Sequence, residues 1–240
     1  MKIRRLTANE LKLIAITAMV IDHFAWAFVA FDSVEGQILH MIGRITAPVM
    51  CFFIAQGYCR TRNLKKYILR LCAFGAVSQI PYMLFKFNLP GNKGFRPELF
   101  ELNVMFGLLM GLLMIAACER LKNDYLNYVA IAGCLLVSIF CDWGVIVPMW
   151  CFTFWLFRDR KLYRNISFVI IALVYVYLAG GIYLCYFGTL LGLGLVCLYG
   201  GLKNANRRSV GSNSGKWFFY AFYPIHLMIL YLMILWYNMK

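Results

Sequence analysis

Nine long apolar stretches constrain this chain more than any other feature of its sequence. They lie near residues 11–31, 38–58, 67–87, 102–118, 125–141, 143–158, 163–180, 182–201 and 217–237. Most approach the roughly 20 apolar residues that a helix needs to cross a bilayer, although the sixth and seventh are short. Hydrophobic residues make up 62% of the chain and charged residues 14%, against about 45–50% and about 25% in soluble domains. The sequence predicts an all-α, polytopic transmembrane bundle of eight or nine spans and excludes a soluble or disordered protein.

The positive charge is distributed unevenly along the chain. The formal net charge is +14, from 24 Lys and Arg against 10 Asp and Glu. With nine spans and a cytoplasmic N-terminus, 19 of the 24 cations fall in cytoplasmic segments, 4 fall outside and Arg44 lies within a span. This asymmetry follows the positive-inside rule. The excess charge is therefore a topology signal, and no nucleic-acid partner is predicted.

The chain is predicted to form one domain over residues 1–240. No internal repeat is visible, and the polar residues 203–216 are predicted to be a flexible cytoplasmic linker. The nine cysteines contain no CxxC pair and mostly lie in apolar runs, where Cys packs as a small hydrophobe. Because neither HExxH nor a Cys-His spacing typical of zinc occurs, no metal site is predicted.

A few ionisable residues lie inside the predicted spans, where each costs about 2.5–3.5 kcal/mol on insertion scales. Asp22 and His23 lie in the first span and Arg44 in the second, at depths that agree within about 5 Å. We expect an Asp22–Arg44 ion pair, which would either serve function or simply hold two helices together. His23 lies about 100° around the helix from Asp22, so the two residues need different partners.

His226 lies in the middle of the last span, at a depth similar to that of His23, and Asp142 lies at the outer end of the fifth. Ionisable groups of this kind at one level indicate a functional site rather than isolated helix-bridging groups. The predicted catalytic residues are His23, Asp22, Asp142, His226 and Arg44. His40, near the outer end of the second span, is expected at the membrane interface.

Three prolines stand near polar residues of the spans, at Pro48, Pro81 and Pro224. A proline ring clashes with the carbonyl four residues earlier, so Pro48 predicts a kink at Arg44, and the other two predict similar kinks. Such kinks would open a cavity in the bundle, unless they only reflect the higher frequency of proline in membrane helices. The predicted substrate-binding residues are Ser78, Gln79, Asn103 and Tyr223.

Lys12 and His23 are eleven residues apart, which places them on one helix face about 16 Å from each other. Such a face would join a cytoplasmic cation to a buried base, a spacing suited to a donor with anionic phosphates and a reactive tip. A lysine that merely snorkels to the interface is the alternative. The predicted donor-binding residues are Lys12, Arg60, Arg62, Asn63 and Lys66, although the positive-inside rule alone accounts for the cations.

Seven segments spread over nearly the whole chain carry distinctive motifs. They are LKLIAITAMVIDHF (11–24), GRITAPVMCFFIAQGY (43–58), TRNLKKYILR (61–70), SQIPYMLF (78–85), LNVMFGLLMGLL (102–113), DWG (142–144) and KWFFYAFYPIHLMILYL (216–232). In this order they resemble the TraX family of bacterial inner-membrane proteins, named for a protein that acetylates the N-terminus of conjugative pilin subunits. The family is similar in outline to larger membrane acyltransferases with a basic residue eleven positions before a first-helix His. Lys12 stands where those typically have Arg, and Gln56 and Gln79 stand where we expect acidic residues in relatives.

The resemblance implies a multi-pass protein of the bacterial cytoplasmic membrane that moves an acetyl group from acetyl-CoA to an amine, such as a peptide N-terminus, or to a hydroxyl. His23 would be the general base, and Asp142 or Asp22 would orient an imidazole. Arg44 would hold Asp22 or stabilise the oxyanion, and His226 would be a second base or bind the acceptor. The expected partners are the lipid bilayer, acetyl-CoA and a peptide or glycan acceptor, with homo-oligomerisation left open.

Two other classes of function stand as alternatives. A proton-coupled transporter or exporter would use Asp22, His23 and Arg44 as a relay, although the lack of sequence repeats and of glycine-broken helix pairs argues against it. A non-enzymatic membrane scaffold would use the buried charges for stability alone.

Overall fold

The helices of the computed structural model follow one another closely along the chain. The structure describes residues 5–89, 101–179, 181, 183–200 and 213–239. Within these ranges the regular elements are helices, accompanied by two isolated backbone bridges. The α-helices are α1 (Ala8–Phe28), α2 (Val34–Gly43), α3 (Thr46–Arg60), α4 (Leu64–Phe87), α5 (Val104–Arg120), α6 (Asp124–Ser138), α7 (Ile146–Leu156), α8 (Lys161–Leu178), α9 (Phe187–Leu198) and α10 (Asn213–Asn238), and a 3₁₀ turn (Leu184–Tyr186) precedes α9.

These helices correspond to the nine predicted apolar segments. α2 and α3 together form the second segment, and the 3₁₀ turn with α9 forms the eighth. Five helical segments of the described chain are long and apolar enough to cross a membrane: Ala8–Phe28, Val34–Arg60, Leu64–Phe87, Lys161–Leu178 and Tyr220–Asn238. Three apolar helices are shorter: Asp124–Ser138, Ile146–Leu156 and Leu184–Leu198. The predicted all-α, polytopic membrane fold is confirmed.

The chain folds into two compact units, each assembled from distant stretches of sequence. The first comprises Met1–Val49, Leu84–Lys93 and Ile182–Lys240, and the second comprises Met50–Met83 and Gly94–Gly181. The prediction of a single domain stays a prediction. Of the predicted linker, residues 203–212 lie outside the described residues. Residues 213–216 belong to the first turn of α10, and the flexibility of the linker stays a prediction.

The start of α1 is fixed by local hydrogen bonds in the first unit. The Thr7 hydroxyl accepts from the Glu10 N–H and the Glu10 carboxylate accepts from the Thr7 N–H, which is a capping box. The preceding residue, Leu6, donates its N–H to the Leu198 carbonyl at 3.0 Å and accepts from the Gly200 N–H at 3.1 Å. These bonds tie the beginning of α1 to the end of α9.

Close helix contacts in the first unit depend on glycine. α1 packs against α2, and α2 contacts the 3₁₀ turn and α9. A Cβ at Gly43 would overlap the side chain of Asp22, and a Cβ at Gly188 would overlap the Met41 carbonyl. Only a residue without a side chain allows these approaches, and the first of them brings the backbone of α2 against Asp22.

The second predicted span is interrupted where its proline predicts a kink. α2 ends and α3 begins on either side of a turn formed by Arg44 and Ile45. Pro48 has no N–H to donate to the Arg44 carbonyl, and its ring crowds that carbonyl. The predicted kink at Arg44 is therefore confirmed. By contrast, α4 and α10 each continue as one helix through Pro81 and Pro224.

The second unit is centred on α5, which packs against α6 and α7, while α7 also packs against α8. α7 has 11 residues, which is about 16 Å of helix and roughly half the thickness of a bilayer core. Trp150 of α7 is fully buried and stacks on Phe168 with ring centroids 4.7 Å apart. A Cβ at Gly111 of α5 would lie 2.6 Å from that of Cys151. The short sixth segment is thus a core helix of this unit.

Candidate functional site

Asp22 is the centre of a buried group of polar side chains in the first unit. Its Oδ1 lies 2.9 Å from His40 Nδ1, and its Oδ2 lies 4.0 Å from Arg44 Nη1. The side chains of Asp22 and Arg44 are 13% and 11% exposed, and that of His40 is fully buried. The expected Asp22–Arg44 ion pair is present, at the outer limit of ion-pair distance. We call Asp22, His40 and Arg44 the carboxylate cluster.

His40 is fully buried inside the first unit, and its expected position at the membrane interface stays a prediction. α2 begins at Val34, earlier than the predicted span, so His40 lies nearly two turns inside the helix. The rings of Trp26 and Phe31 pack against the imidazole with centroid distances of 4.5 and 5.3 Å. The sequence signal for this residue is its spacing of four from Arg44, which places both side chains on one helix face.

His23 and His226 form a second polar contact in the same unit. His226 Nε2 lies 3.0 Å from His23 Nδ1, so an imidazole–imidazole hydrogen bond joins α1 to α10. The Phe222 ring stacks on His226 at 5.2 Å, and the Phe85 ring meets His23 edge-on at 5.5 Å. The similar depth predicted for the two histidines is confirmed. The prediction that Asp22 and His23 have different partners is confirmed as well.

The hydrogen bonds of His226 determine which nitrogen carries the proton in each neutral imidazole. His226 Nδ1 lies 3.0 Å from the Phe222 carbonyl, and because a carbonyl oxygen only accepts, this nitrogen donates. Nε2 of a neutral His226 then accepts, and His23 Nδ1 donates to it. His23 therefore carries its lone pair on Nε2, which is the basic nitrogen of the pair.

A carboxylate does orient an imidazole in this unit: it is Asp22, one of the two predicted, and the imidazole is that of His40 rather than that of the proposed base His23. Asp22 accepts from His40, whereas the Nδ1 of His23 faces His226. The reason is helical geometry, because successive residues point about 100° apart and Asp22 faces α2 while His23 faces α10. Asp22 therefore acts on His23 through its charge and not through a hydrogen bond.

Two further predicted residues belong to the first unit. Lys12 lies on α1 together with His23, so the eleven-residue spacing runs along one continuous helix. Tyr223 is buried, and its ring centroid lies 5.6 Å from that of His226. Tyr223 therefore borders the histidine pair, as a substrate-binding residue would, and the roles of both residues stay predictions.

Gln79 and Asn103 form an amide cluster in the second unit. Gln79 Oε1 accepts from the backbone and side-chain nitrogens of Asn103 at 3.0 and 2.8 Å, and Gln79 Nε2 donates to the Glu101 carbonyl. Asn103 is fully buried, donates to the Gly75 carbonyl and accepts from the Met105 N–H. These bonds hold α4 to the capped start of α5. Both residues therefore stabilise the contact between these helices, and their predicted substrate-binding role stays a prediction.

Ser78 and Asp142 also lie in the second unit. Ser78 is fully buried, and its hydroxyl has no hydrogen-bond partner among the described residues. Asp142 stands in the turn between α6 and α7, where its N–H donates to the Leu102 carbonyl at 2.7 Å. Trp143 and Gly144, which follow it, have positive φ angles of 68° and 53°. A substrate-binding role for Ser78 and a catalytic role for Asp142 stay predictions.

The predicted donor-binding residues of the second unit lie at the junction of α3 and α4. Arg60 ends α3, and its guanidinium donates to the Gln56 side chain. The Asn63 side chain accepts from the Lys66 N–H at 2.9 Å, as an N-cap residue does at the start of a helix. Arg62 and Lys66 are exposed. Asn63 thus caps α4, and donor binding by these residues stays a prediction.

The fold and these side chains define a class of protein, namely a polytopic α-helical membrane protein with a histidine pair next to a partnered carboxylate. Comparison with protein families matches residues 7–234 to the family described as "TraX protein". The chain belongs to the TraX family, as its motifs predicted.

One curated relative is similar over almost the full length of the chain. It is the "Probable fimbrial assembly protein FimC, serogroup H1" of Dichelobacter nodosus, 28% identical over 235 residues. The alignment covers 93% of this chain and 94% of that protein. No solved structure matches the chain.

Proposed function

We propose that this protein transfers an acetyl group from acetyl-CoA to an amine or a hydroxyl of an envelope substrate at the bacterial inner membrane. The observation that carries the proposal is the His23–His226 pair, with nitrogens 3.0 Å apart on two membrane helices. Its hydrogen bonding leaves His23 Nε2 with a lone pair, and acyl transfer to an N–H or O–H acceptor requires such a base. Membership of the TraX family is consistent with this function.

His23 is the proposed general base. Its Nε2 takes the acceptor's proton as the acceptor atom attacks the carbonyl carbon of the thioester. A C–N or C–O bond forms, the C–S bond breaks, and the imidazolium returns its proton to the departing CoA thiolate. His23 thus begins and ends each turnover neutral, which suits an imidazole near pH 7. His226 keeps the ring in position through its bond to Nδ1.

The carboxylate cluster supports this base. Asp22 adjoins His23 in α1, and its negative charge favours the imidazolium that forms during the transfer. His40 fixes Asp22 Oδ1 at 2.9 Å, and Arg44 balances the charge from Oδ2. The Arg44 guanidinium is also the proposed donor to the oxyanion.

The proposed acceptor is the N-terminal amine of a peptide, with a hydroxyl of an envelope glycan as the other acceptor class. The name of the curated relative refers to fimbrial assembly, and a fimbrial subunit offers one such amine per chain. The excess of cations in the predicted cytoplasmic segments supports an inner-membrane location with the N-terminus in the cytoplasm.

The test is acetyl transfer by the purified protein in nanodiscs. Acetyl-CoA labelled in the acetyl group is incubated with a synthetic peptide that has a free N-terminus and with a short glycan. We expect label on one of them, and we expect His23→Ala to lower the rate by about 10²–10⁴-fold, the usual contribution of a general base. His226→Ala should lower it less, because the base itself remains.

Gly133→Ala is the control for effects of substitution and purification that are unrelated to the site, because a Cβ at Gly133 has no neighbouring atom within 4 Å. It should transfer acetyl groups at the wild-type rate. Full turnover by a folded His23→Ala protein would remove His23 as the base. Absence of label on both acceptors with the wild-type protein, despite a folded state, would contradict acetyl transfer to these classes.

Proton-coupled transport is the second candidate, because hydrogen-bonded histidines in membrane helices can also pass protons. Proteoliposomes containing the protein and a pH-sensitive dye distinguish the two functions. A transporter would couple substrate addition to a pH change inside the vesicles without any need for acetyl-CoA. A scaffold, the third class, would show neither activity, and variants of the buried charges would change stability alone.

A further inference from the structure

The second unit contains a polar cleft that neither His23 nor His226 lines. It has a volume of about 370 Å³ and lies where α3, α5 and α7 end. Its walls include Tyr58, Thr61, Glu119, Arg120, Trp155 and Arg158. Clefts that hold small ligands usually have volumes of about 300–1,000 Å³, so this one is large enough for part of a nucleotide.

The two arginines of the cleft interact with other groups of its wall. Tyr58 interacts electrostatically with both Arg120 and Glu119. The Arg158 guanidinium donates to the Trp155 carbonyl at 3.1 Å and lies 5.4 Å from the centre of the Trp155 ring. A guanidinium held in this way loses less conformational freedom when it binds an anion.

Arg158 also has an acidic neighbour. Its Nε lies 3.6 Å from Asp159 Oδ2, in a pair whose side chains are 48% and 89% exposed. A surface pair of this kind is weak, so the guanidinium is available to a stronger anionic partner. Phosphate is such a partner, because a guanidinium donates two parallel hydrogen bonds to it.

We propose that this cleft binds a phosphate-bearing nucleotide, with Arg120 and Arg158 on the phosphates. The rings of Tyr58 and Trp155, which meet edge-to-face at 6.4 Å, provide an aromatic wall for a base. The Glu119 carboxylate accepts hydrogen bonds from ribose hydroxyls or from an amino group of the base. Inorganic phosphate would contact neither the aromatic rings nor the Glu119 carboxylate, so a nucleotide matches the lining of the cleft better than phosphate alone.

This inference rests on the proposed function for the identity of the ligand, which is then the nucleotide end of acetyl-CoA. The cleft lies at helix ends that carry Lys and Arg residues. The positive-inside rule assigns these cations to the cytoplasmic side of the membrane. A water-soluble nucleotide is found on that side. The phosphate of an anionic lipid headgroup has the same chemistry, and the experiment below separates the two sources.

The exposed Cys59 lines the cleft and reports its occupancy. Full-length protein in nanodiscs of neutral lipid is treated with N-ethylmaleimide, and the labelling rate of Cys59 is measured by peptide mass spectrometry. The probe is adenosine 3′,5′-bisphosphate, which has two phosphates and no thiol. At about ten times its Kd the probe should slow the labelling roughly tenfold, because only the unoccupied fraction reacts.

The Arg120→Gln/Arg158→Gln variant should lose most of this protection, because with a Kd roughly tenfold weaker or more the probe would slow the labelling only about twofold or less. The matched control is Lys122→Gln/Lys161→Gln, which removes two exposed charges of the same unit outside the cleft and should retain it. Single Arg158→Gln serves if the double variant does not fold. Equal protection by adenosine would overturn phosphate recognition, and no protection by the bisphosphate in wild-type protein would overturn the proposal.

Anionic lipid is tested in nanodiscs that contain phosphatidylglycerol. Arginine-dependent slowing there, with no effect of the nucleotide, would assign the cleft to lipid and overturn the nucleotide. His23→Ala separates the two proposals, since it should keep nucleotide protection while losing transfer. Protection without acetyl transfer would overturn only the proposed function, and transfer without protection would overturn only the inference about the cleft.

Discussion

The carboxylate cluster and the amide cluster, one in each compact unit, use buried polar side chains in different ways. Asp22, His40 and Arg44 are ionisable side chains that partner one another. Gln79 and Asn103 are neutral amides whose bonds go largely to backbone groups at the start of α5. Imidazoles exchange protons near pH 7 and amides do not.

The difference teaches that burial of a polar residue in a membrane protein does not by itself indicate chemistry. In both clusters buried polar side chains bond to partners within their own unit, although His40 Nε2 has no hydrogen-bond partner among the described residues. Only the carboxylate cluster adjoins a histidine with a spare lone pair. The partners of a buried polar group, more than its depth, therefore distinguish the proposed active site from the amide cluster.

The carboxylate cluster should be the more sensitive to the loss of one member. We expect Arg44→Gln to lower the free energy of unfolding by about 3–5 kcal/mol, because the Asp22 carboxylate then stays buried without its cation. The variant Asp22→Asn/Arg44→Gln should recover part of this loss, since no charge is left behind. Unfolding of the purified protein in detergent micelles measures both changes.

Glu101→Gln provides the matched comparison in the second unit. The Tyr82 hydroxyl donates to the Glu101 carboxylate at 3.0 Å, and Glu101 is partly exposed. We expect a loss of about 1 kcal/mol or less, because the Gln side-chain oxygen still accepts from Tyr82 and only the charge that strengthens this hydrogen bond is removed. If Arg44→Gln costs no more than Glu101→Gln, the contrast between the two clusters does not hold.

The packing around the two clusters should differ in the same direction. We expect Gly43→Ala to cost about 1–3 kcal/mol or more, because the new methyl group overlaps Asp22 and forces α1 and α2 apart. At Gly75, beside the amide cluster, the new Cβ would lie 3.3 Å from the Phe106 ring. Gly75→Ala should stay within about 1 kcal/mol of wild type, since the gain in helix propensity offsets mild crowding. Thermal unfolding in detergent compares the two variants, and equal losses would contradict this reading of Gly43.

The amide cluster should contribute to stability through its cap and its buried bonds. We expect Asn103→Ala to cost about 1–3 kcal/mol, because it leaves the Gly75 carbonyl without its side-chain donor and removes one of the two donors to Gln79 Oε1. Asn123→Ala is the control, since Asn123 caps α6 in the same way but is exposed, and it should cost about 1 kcal/mol or less. Denaturant titration of both variants in micelles gives the difference. A loss at Asn103 no greater than that at Asn123 would show that the buried network adds nothing to the cap.

Features that arise along one helix could be predicted from the sequence. Apolar length identified the helical segments, and the ring of Pro48 identified the break at Arg44. Counting residues from the ends of the spans predicted that His23 and His226 lie at a similar depth, as their hydrogen bond confirms. These quantities depend on the rise per residue and on backbone chemistry, which hold for any helix.

Features that depend on which helix faces meet could not be predicted in this way. The bond between His40 and Asp22 depends on how closely α1 approaches α2, and Gly43 has no side chain to prevent that approach. The bonds that Gln79 and Asn103 make in the structure could not be predicted, because the backbone groups that they bind come from distant parts of the chain; their substrate-binding role stays a prediction. Depth alone does not specify the rotation of one helix about its neighbour.

The sequence by itself determined that this protein is a polytopic helical membrane protein of the TraX family, with ionisable side chains placed at one depth. Hydrophobic length and motif order are properties of the chain, so they needed no structure. The Asp22–Arg44 pair was expected from the sequence, but only the tertiary structure decided that Asp22 also bonds to His40 and that His23 pairs with His226. The physical reason is that hydrogen bonds of about 3 Å require helix faces in register, and packing between helices sets that register.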